Sequence, residues 1–232
     1  QVSNFLLSLL VIPYVIMILG PEEFGVIAVA QITLFYLSVL VDYGFNRSAI
    51  REVALFREDR QRLSTIFSTV ISTRLLISIF SLFLLIIVVE SVPIFRAHRS
   101  VYYYGYSFVL GQALLANWFF QGMEKMKHNA LSSFLSRILF TGMVFTFIRH
   151  ANDTPLYLFF MGLGNLIAGI GSIIFCFREY KLSWVRPSAG NMLNEIKEGW
   201  HYTASNLSMT TIQYSGLFIL RLFTNDLLVG YY

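Results

Sequence analysis

The chain has 232 residues, of which 56% are hydrophobic, 16% aromatic and only 13% charged. Soluble domains usually carry about 25% charged residues, so this composition excludes an ordinary soluble enzyme or binding domain. The formal net charge of +4 does not indicate nucleic-acid binding, because the basic residues form no single patch along the chain.

Long apolar runs predict membrane-spanning helices, which need roughly 18 or more mostly apolar residues. Six runs meet this requirement, and a seventh, residues 202–223, is more polar but long enough. The six runs cover residues 3–19, 24–41, 69–90, 101–120, 129–148 and 155–177. The sequence therefore predicts an all-α fold, a polytopic transmembrane helix bundle.

The first turn is predicted at LGPEEFG, residues 19–25. Pro21 directly after Gly20 ends one helix, and the short polar link restarts the next helix at Phe24. A link this short predicts that the first two spans form an antiparallel hairpin.

The basic residues of the predicted loops are unevenly distributed between the two sides of the membrane. If the N-terminus is cytoplasmic, loops 42–65, 121–128 and 178–200 carry eleven Lys and Arg residues, and the opposite loops carry three. Cytoplasmic loops are enriched in Lys and Arg, so this asymmetry predicts a cytoplasmic N-terminus.

Two loop segments show helical amphipathicity. In residues 42–62, Ile50, Val53 and Ala54 share one face, which suits either a short helix on an anionic leaflet or an ordinary solvated segment. Residues 191–200 repeat the pattern and place Trp200 at interface depth.

The stretch NWFFQGMEKMKH, residues 117–128, predicts the cytoplasmic end of a span. Trp118 and Phe119 are the aromatic residues expected at headgroup depth, and Lys125 and Lys127 would anchor the loop inside. Gly122 is predicted to permit the turn.

No motif for enzymatic chemistry is present: the sequence contains no HExxH zinc helix, no P-loop and no Gly-x-Ser-x-Gly elbow. We therefore predict that the protein is not an enzyme and needs no cofactor or metal. Gly162 and Gly164 lack dinucleotide-binding spacing, and close helix packing is their predicted use. Cys176, the single cysteine, is predicted to be a small buried hydrophobe.

Polar residues recur on single faces of several predicted spans, which is typical of a bundle around a polar cavity. The candidate translocation residues are Gln31 in span two, Arg74 and Ser78 in span three, Ser133, Arg137 and Thr141 in span five, Asn165 in span six, and Gln213 and Arg221 in span seven.

An arginine in a span can also extend its guanidinium to the membrane surface instead of facing a cavity. Arg74 lies near the cytoplasmic end of its span and could extend its guanidinium to the surface, whereas Arg137 is deeper. A guanidinium makes bidentate contacts with phosphate, so an arginine-lined cavity favours an anionic substrate.

Several stretches together resemble a known family. In chain order they are LGPEEFGVIAVAQ, DYGFNRSAIREVA, LSTIFSTVISTRLL, WFFQGMEKMKH, LSRILF, KEGWHYTASN and FTNDLLVGYY. They resemble the Wzx-type O-antigen and capsular polysaccharide flippases of bacteria, whose superfamily also contains the multidrug and toxin extrusion transporters. DYGFNRSAIRE and WFFQGMEKMK are the most specific of them.

The resemblance implies a two-lobed flippase fold, of which this chain would be a fragment. Residues 1–180 would form an N-terminal six-helix lobe, residues 181–200 a cytoplasmic inter-lobe linker, and residues 201–232 the first helix of a truncated C-terminal lobe. The implied function is to move an undecaprenyl-pyrophosphate-linked oligosaccharide repeat unit from the cytoplasmic to the periplasmic leaflet of the inner membrane by alternating access. The resemblance implies a cationic cavity that holds the pyrophosphate and acidic sugars. The lipid bilayer, a polysaccharide polymerase and a chain-length regulator are the other candidate partners.

Other classes remain open from the sequence. An integral-membrane enzyme of polysaccharide assembly would need paired carboxylates or an acidic metal motif in its loops. A multidrug exporter of the same fold would need to accept lipophilic cations, which intramembrane arginines disfavour. A structural membrane subunit would need partner helices for its polar faces.

Overall fold

The computed structural model describes the backbone of residues 2–224, 228 and 230, and the side chains of residues 9–45, 47–197, 199–216, 219, 223, 224, 228 and 230. This part of the chain is helical and contains no strand, which confirms the predicted fold class. Its elements are α1 (Val2–Asp42), α2 (Phe45–Leu55), α3 (Arg60–Ser91), α4 (Pro93–Ala97), α5 (Arg99–Leu114), α6 (Asn117–Gly122), α7 (Met126–Phe147), a 3-10 turn (Ala151–Asp153), α8 (Thr154–Glu179) and α9 (Ala189–Phe223).

Four described segments are long and apolar enough to cross a membrane, namely Leu9–Leu55, Arg60–Ser91, Met126–Phe147 and Ala151–Glu179. The first of them contains residues 9–19 of the first predicted span and all of the second. The predicted span 101–120 is interrupted: α5 ends at Leu114, and the chain leaves the helical conformation at residues 115–116 before α6 begins. Apolar composition alone did not reveal this break, because no Gly or Pro marks it.

The two halves of α1 fold back on each other at Gly20. Val11 from the first half and Gln31 from the second line the same cavity, whereas a straight helix would separate them by about 30 Å. Gly20 has φ 85° and ψ 164°, a backbone region that is essentially restricted to glycine. Pro21 follows at the start of the second half, where its missing N–H is not needed. The structure thus supports the predicted hairpin.

We expect Gly20→Ala to lower the free energy of unfolding by about 2 kcal/mol, because a Cβ makes this conformation strained. No atom lies within 4 Å of the position of the added Cβ, so the effect is one of backbone strain alone. Denaturant titration in detergent micelles measures it. Gly142→Ala is the control, since that site is helical and equally open; equal losses from both variants would contradict the role of Gly20.

Different side-chain contacts occur at the two ends of the bundle. At one end the Thr154 hydroxyl donates to the Glu23 carboxylate at 2.6 Å. At the other end Arg57 donates to the Glu124 carboxylate at 2.7 Å and to the Gly122 carbonyl at 2.8 Å. This hydrogen bond with Arg57 holds the pKa of the Glu124 carboxyl below its usual range. Helices α1, α3, α5, α7 and α8 run between these ends.

Helices α5 and α8 make the most extensive contact in the bundle, and glycines allow it. A Cβ on Gly111 would lie 2.7 Å from the Asn165 Cβ, and one on Gly162 would overlap Ser107 and the Phe108 backbone. A Cβ on Gly164 would lie 2.6 Å from the Ser136 carbonyl of α7. The prediction that Gly162 and Gly164 serve helix packing is therefore confirmed.

A second core lies between α2, α3, α6 and the end of α8, and it corrects the interpretation of the aromatic stretch. Trp118 and Phe119 are fully buried, and both pack against Phe67 of α3. Gly122 lies where α2 approaches, since its Cβ would be 2.6 Å from Val53. The two rings are therefore covered by protein, which hydropathy does not distinguish from a lipid surface. Gly122 is the last residue of α6, directly before the turn at residues 123–124.

Helix α2 is amphipathic, but of the predicted face only Val53 is fully buried, whereas Ile50 and Ala54 are half-buried. Phe45, Ala49 and Val53 recur every four residues and are fully buried. These residues form one face of the helix, and α6 is its main packing partner. The apolar face is therefore covered by the second core.

The segment 181–188, here called the strap, has no regular secondary structure and lies along α3. Ser183 N–H donates to the Ser64 hydroxyl and Val185 N–H to the Ser68 hydroxyl, both at 3.1 Å, and Arg60 Nε donates to the Lys181 carbonyl. Four helical residues and two extended residues both span about 6 Å. The spacing of the Ser64 and Ser68 hydroxyls on α3 therefore matches the spacing of the Ser183 and Val185 N–H groups in the strap.

The amphipathic segment 191–200 and the predicted seventh span form one continuous helix, α9. Ser188 caps it by accepting a hydrogen bond from Gly190 N–H at 3.3 Å. Near its start α9 approaches the corner between α1 and α2, where a Cβ on Gly44 would lie 2.9 Å from the Gly199 carbonyl. No proline interrupts residues 189–223, so the helix has no reason to end at residue 200.

Candidate functional site: a polar cavity beside α7

A cavity of about 530 Å³ lies between α1, α5, α7 and α8, with the start of α6 at one end. Its polar lining consists of four carboxamides (Gln31, Gln112, Asn117, Asn165), four hydroxyls (Ser132, Ser133, Ser136, Thr141), the phenol of Tyr157 and the guanidinium of Arg137. Its aromatic lining also includes Phe24, Phe35, Phe108 and Phe140.

Helix α7 presents one face to this cavity. Ser133, Arg137 and Thr141 follow each other every four residues, and Ser132 and Ser136 are the preceding positions on the same face. Arg137 is half-buried and lies eleven residues into the helix Met126–Phe147, which is about 16 Å from its start. Arg137 therefore lies near the middle of a membrane-spanning segment.

Hydrogen bonds fix the polar wall opposite α7. The Ser136 hydroxyl donates to Asn165 Oδ1 at 2.9 Å, and the close approach at Gly164 makes this contact possible. Gln31 Nε2 lies 3.4 Å from the Met161 sulfur. Asn165 is thus oriented by a hydrogen bond from α7, and Gln31 makes a weaker contact with α8.

Among the described residues that line the cavity, Arg137 supplies the positive charge and there is no carboxylate. Asn117 Oδ1 and Thr141 Oγ1 are buried and accept no hydrogen bond from the described protein. Both atoms have almost no accessible surface, so each is an internal polar group without a partner, which costs about 1–3 kcal/mol. The cavity therefore offers amides, hydroxyls and one positive charge to a molecule that enters it.

The structure brings together five of the predicted site residues: Gln31, Ser133, Arg137, Thr141 and Asn165. Gln213 is exposed on α9 and does not belong to the described lining. The side chain of Arg221 lies outside the described residues.

Arg74 and Ser78 do not line this cavity, contrary to the expectation of one shared polar centre. Arg74 is buried, pairs with Asp42 at the end of α1 and donates to the Leu115 carbonyl at 2.8 Å. The Ser78 hydroxyl is buried and donates to the Leu75 carbonyl at 2.7 Å. The polar face of α3 points toward α1 and α5, since Asp42 of α1 pairs with Arg74 and the Tyr106 hydroxyl of α5 donates to the Ser78 carbonyl.

The sequence interpretation missed part of the lining. Ser132 and Ser136 precede two predicted residues by one position and could have been found by widening the polar face of α7. Gln112 is a carboxamide within an apolar helix, which was a usable signal. Asn117 was hidden because its stretch was interpreted as an interfacial loop, and Tyr157 because a tyrosine in a span is not distinctive.

Within the described ranges no group of three His, Cys, Asp or Glu side chains could hold a metal ion. Cys176 is buried in the second core, as predicted. The cavity chemistry in this part of the chain therefore depends on amides, hydroxyls, aromatic rings and one guanidinium.

The family described as "Polysaccharide biosynthesis protein" matches residues 1–232. The chain belongs to this family. Two relatives are described as "Putative O-antigen transporter": one from Escherichia coli (strain K12) is 30% identical over 230 residues, and one from Shigella dysenteriae is 29% identical over 235 residues. These matches cover 99% and 98% of the chain but only 55% and 57% of the relatives.

A third relative of the same description, from Shigella flexneri, is 41% identical over 69 residues, covering 30% of the chain and 16% of the relative. No solved structure matches the chain at a significant level. The relatives are described as transporters and not as enzymes. The resemblance inferred from the sequence motifs is confirmed at the level of the family, and the chain is a multi-pass membrane protein of this family that spans about half the length of those two relatives.

Proposed function

We propose that the complete protein moves a lipid-linked oligosaccharide, carried on undecaprenyl pyrophosphate, from the cytoplasmic to the periplasmic leaflet of the bacterial inner membrane. Family membership and the description of the relatives as O-antigen transporters support transport of polysaccharide material. The observation that carries the proposal is the half-buried Arg137 in the middle of α7, facing a polar cavity.

The cavity chemistry fits such a substrate. An ionisable side chain inside a span is costly, and it normally faces a bundle interior or a water-filled cavity where it serves a function. The guanidinium attracts an anionic headgroup and offers paired donors to it. Carboxamides and hydroxyls replace part of the water that a sugar loses on entering. The hydrocarbon tail would remain in the bilayer.

Alternating access is the mechanism we propose for this movement, by rocking of two lobes around the cavity. We propose a cytoplasmic N-terminus, which the eleven basic residues on one set of loops predict. The headgroup would then enter from the end of the bundle that carries Arg57 and Glu124. A polysaccharide polymerase and a chain-length regulator would act on the exported unit. Arg74, Ser78, Gln213 and Arg221 stay predicted substrate contacts, now with less support than the five cavity residues.

Complementation tests the proposal. The full-length gene, expressed with its own glycan gene cluster in a bacterium lacking its flippase, is expected to restore polymerised glycan at the cell surface. Arg137→Ala should reduce that glycan by about tenfold or more, because a charge-assisted hydrogen bond contributes about 1.5–3 kcal/mol. Arg137→Lys should restore part of the loss. The readout is surface glycan, normalised to the amount of protein in the membrane.

Lys127→Ala is the matched control for this series. It removes one positive charge from the same helix, but Lys127 is exposed in the first turn of α7 and lies outside the cavity. Surface glycan should stay near the wild-type amount. Normal glycan display by Arg137→Ala would remove Arg137 from the site, and failure of the wild-type gene with its cognate cluster would refute the transport proposal.

A further inference from the structure

We propose that Arg74 is a positioning residue of the transporter: it holds the break between α5 and α6, and this break brings Asn117 to the polar cavity. The inference rests on the proposed function, and it replaces the direct substrate contact that the sequence predicted for Arg74. Ser172 of α8 acts on the same break from a different helix. Neither Arg74 nor Ser172 belongs to the described lining of the cavity.

The break decides which side chains of this stretch face the cavity. Phe108, Gln112 and Leu115 line it at spacings of four and three residues, as expected for one face of a helix. Asn117 lines it too, although five residues of continuous helix would rotate it by about 140° from Gln112. A continuous helix over residues 108–117 would therefore turn Asn117 away from the cavity.

Two backbone groups leave the helical hydrogen-bond pattern at the break, and each finds a side-chain partner. The Leu115 carbonyl accepts from Arg74 Nη1 at 2.8 Å. Ala116 N–H donates to the Ser172 hydroxyl at 3.2 Å. Because Leu115 and Ala116 are buried, water cannot replace these partners, and a backbone group left without one would be costly.

These side-chain partners compete with a continuous helix. In α-helical geometry the Leu115 carbonyl would accept from Phe119 N–H. Likewise, Ala116 N–H would donate to the Gln112 carbonyl. Phe119 N–H instead donates to the Ala116 carbonyl at 3.0 Å. Neither residue of the break is glycine or proline, so its own sequence does not exclude a helix. The partners on α3 and α8 are therefore what keep the helix broken.

Both partners are themselves held in place. The Arg74 guanidinium is buried and forms an ion pair with Asp42. The Ser172 hydroxyl donates its hydrogen to the Gly169 carbonyl at 2.7 Å, which leaves a lone pair of this oxygen for Ala116 N–H. A donor or acceptor that is already oriented loses little freedom when it bonds to the break.

Thiol labelling of Asn117→Cys tests the inference in the full-length protein in nanodiscs, without substrate and with no other reactive cysteine. Arg74→Met with Asp42→Ala removes the donor to the Leu115 carbonyl and leaves no unpaired charge. We expect this double variant to slow labelling at position 117 by a small water-soluble methanethiosulfonate at least about fivefold, because the segment returns to helix. Ser172→Ala should slow it likewise, although it removes no charge.

Ser133→Cys is the matched reporter, since Ser133 lines the cavity from α7 and is not part of the break. Its labelling rate should stay within about twofold in both backgrounds, which separates a local change from unfolding. Arg62→Met breaks an exposed ion pair at the start of α3 and should leave both reporters unchanged. The inference is overturned if labelling at position 117 keeps its wild-type rate in either background, or if labelling at position 133 slows equally.

Export connects this change to function. In the complementation assay, surface glycan should fall at least about fivefold for Arg74→Met with Asp42→Ala and for Ser172→Ala, after normalisation to the protein in the membrane. Normal glycan from either would overturn the positioning role, while complementation by the wild-type gene would still support transport. Failure of the wild-type gene with its cognate cluster would refute the proposed function, and the labelling rates would still decide how Asn117 is positioned.

Discussion

Gly162→Ala is expected to destabilise the chain by about 3 kcal/mol, since inserting an atom into a closely packed contact forces the backbone apart. The added Cβ would overlap the Ser107 side chain and the Phe108 backbone N. Ser107 has little freedom to move away, because its hydroxyl donates to the Tyr104 carbonyl at 2.8 Å. Helices α5 and α8 would have to separate along the contact that holds the centre of the bundle. Denaturant titration in detergent micelles measures the loss.

Gly171→Ala on the same helix is the matched control. No atom lies within 4 Å of the Cβ added there, and alanine favours a helix over glycine by about 0.5–1 kcal/mol. This variant should therefore be as stable as the original or slightly more stable. Equal stability of the Gly162 and Gly171 variants would show that α5 and α8 are not held together in the way described.

Asp42→Ala is expected to cost about 3 kcal/mol, because it leaves the Arg74 guanidinium buried without its anionic partner. The Arg74 side chain is only 3% exposed and the Asp42 side chain 29% exposed. The remaining hydrogen bond to the Leu115 carbonyl cannot neutralise a charge. Arg74 Nε already lacks a partner among the described residues, so little compensation is available. The same unfolding titration measures the change.

A double-mutant cycle isolates this pair. Arg74→Met combined with Asp42→Ala should recover most of the loss, because both charges are then removed. Arg62→Met breaks the exposed pair of Arg62 with Asp59, whose side chains are 62% and 48% exposed, and should change stability by less than about 1 kcal/mol. If the double variant is no more stable than Asp42→Ala, the loss does not come from an unpaired Arg74.

Much of the helix architecture could be predicted from hydropathy, because a helix that crosses lipid must be long and apolar whatever it packs against. The turn at Gly20 was predictable, since a glycine followed by a proline marks a turn. The cavity face of α7 was predictable as well, since Ser133, Arg137 and Thr141 repeat at helical spacing. These features depend on short stretches of sequence.

Features that depend on contacts between distant stretches could not be predicted in the same way. The polar face of α3 identified Arg74 but not its partner, Asp42, which lies 32 residues earlier. Trp118 is apolar and aromatic, and nothing in its neighbourhood tells whether lipid or Phe67 will cover it. Gln112 and Asn117 reach the cavity only because the chain breaks between α5 and α6 at a position that carries no breaker residue.

The strap limits the number of residues that can be inserted between α8 and α9. A loop without regular structure usually accepts inserted residues at little cost. In the strap, one inserted residue between Ser183 and Val185 would turn one of the two N–H groups away from its serine on α3, because an extended chain alternates its sides. Two inserted residues would restore the alternation but displace the rest by about one helical turn. These two hydrogen bonds thus fix the length of the connection between α8 and α9, as pairing fixes the register of a strand inside a β-sheet.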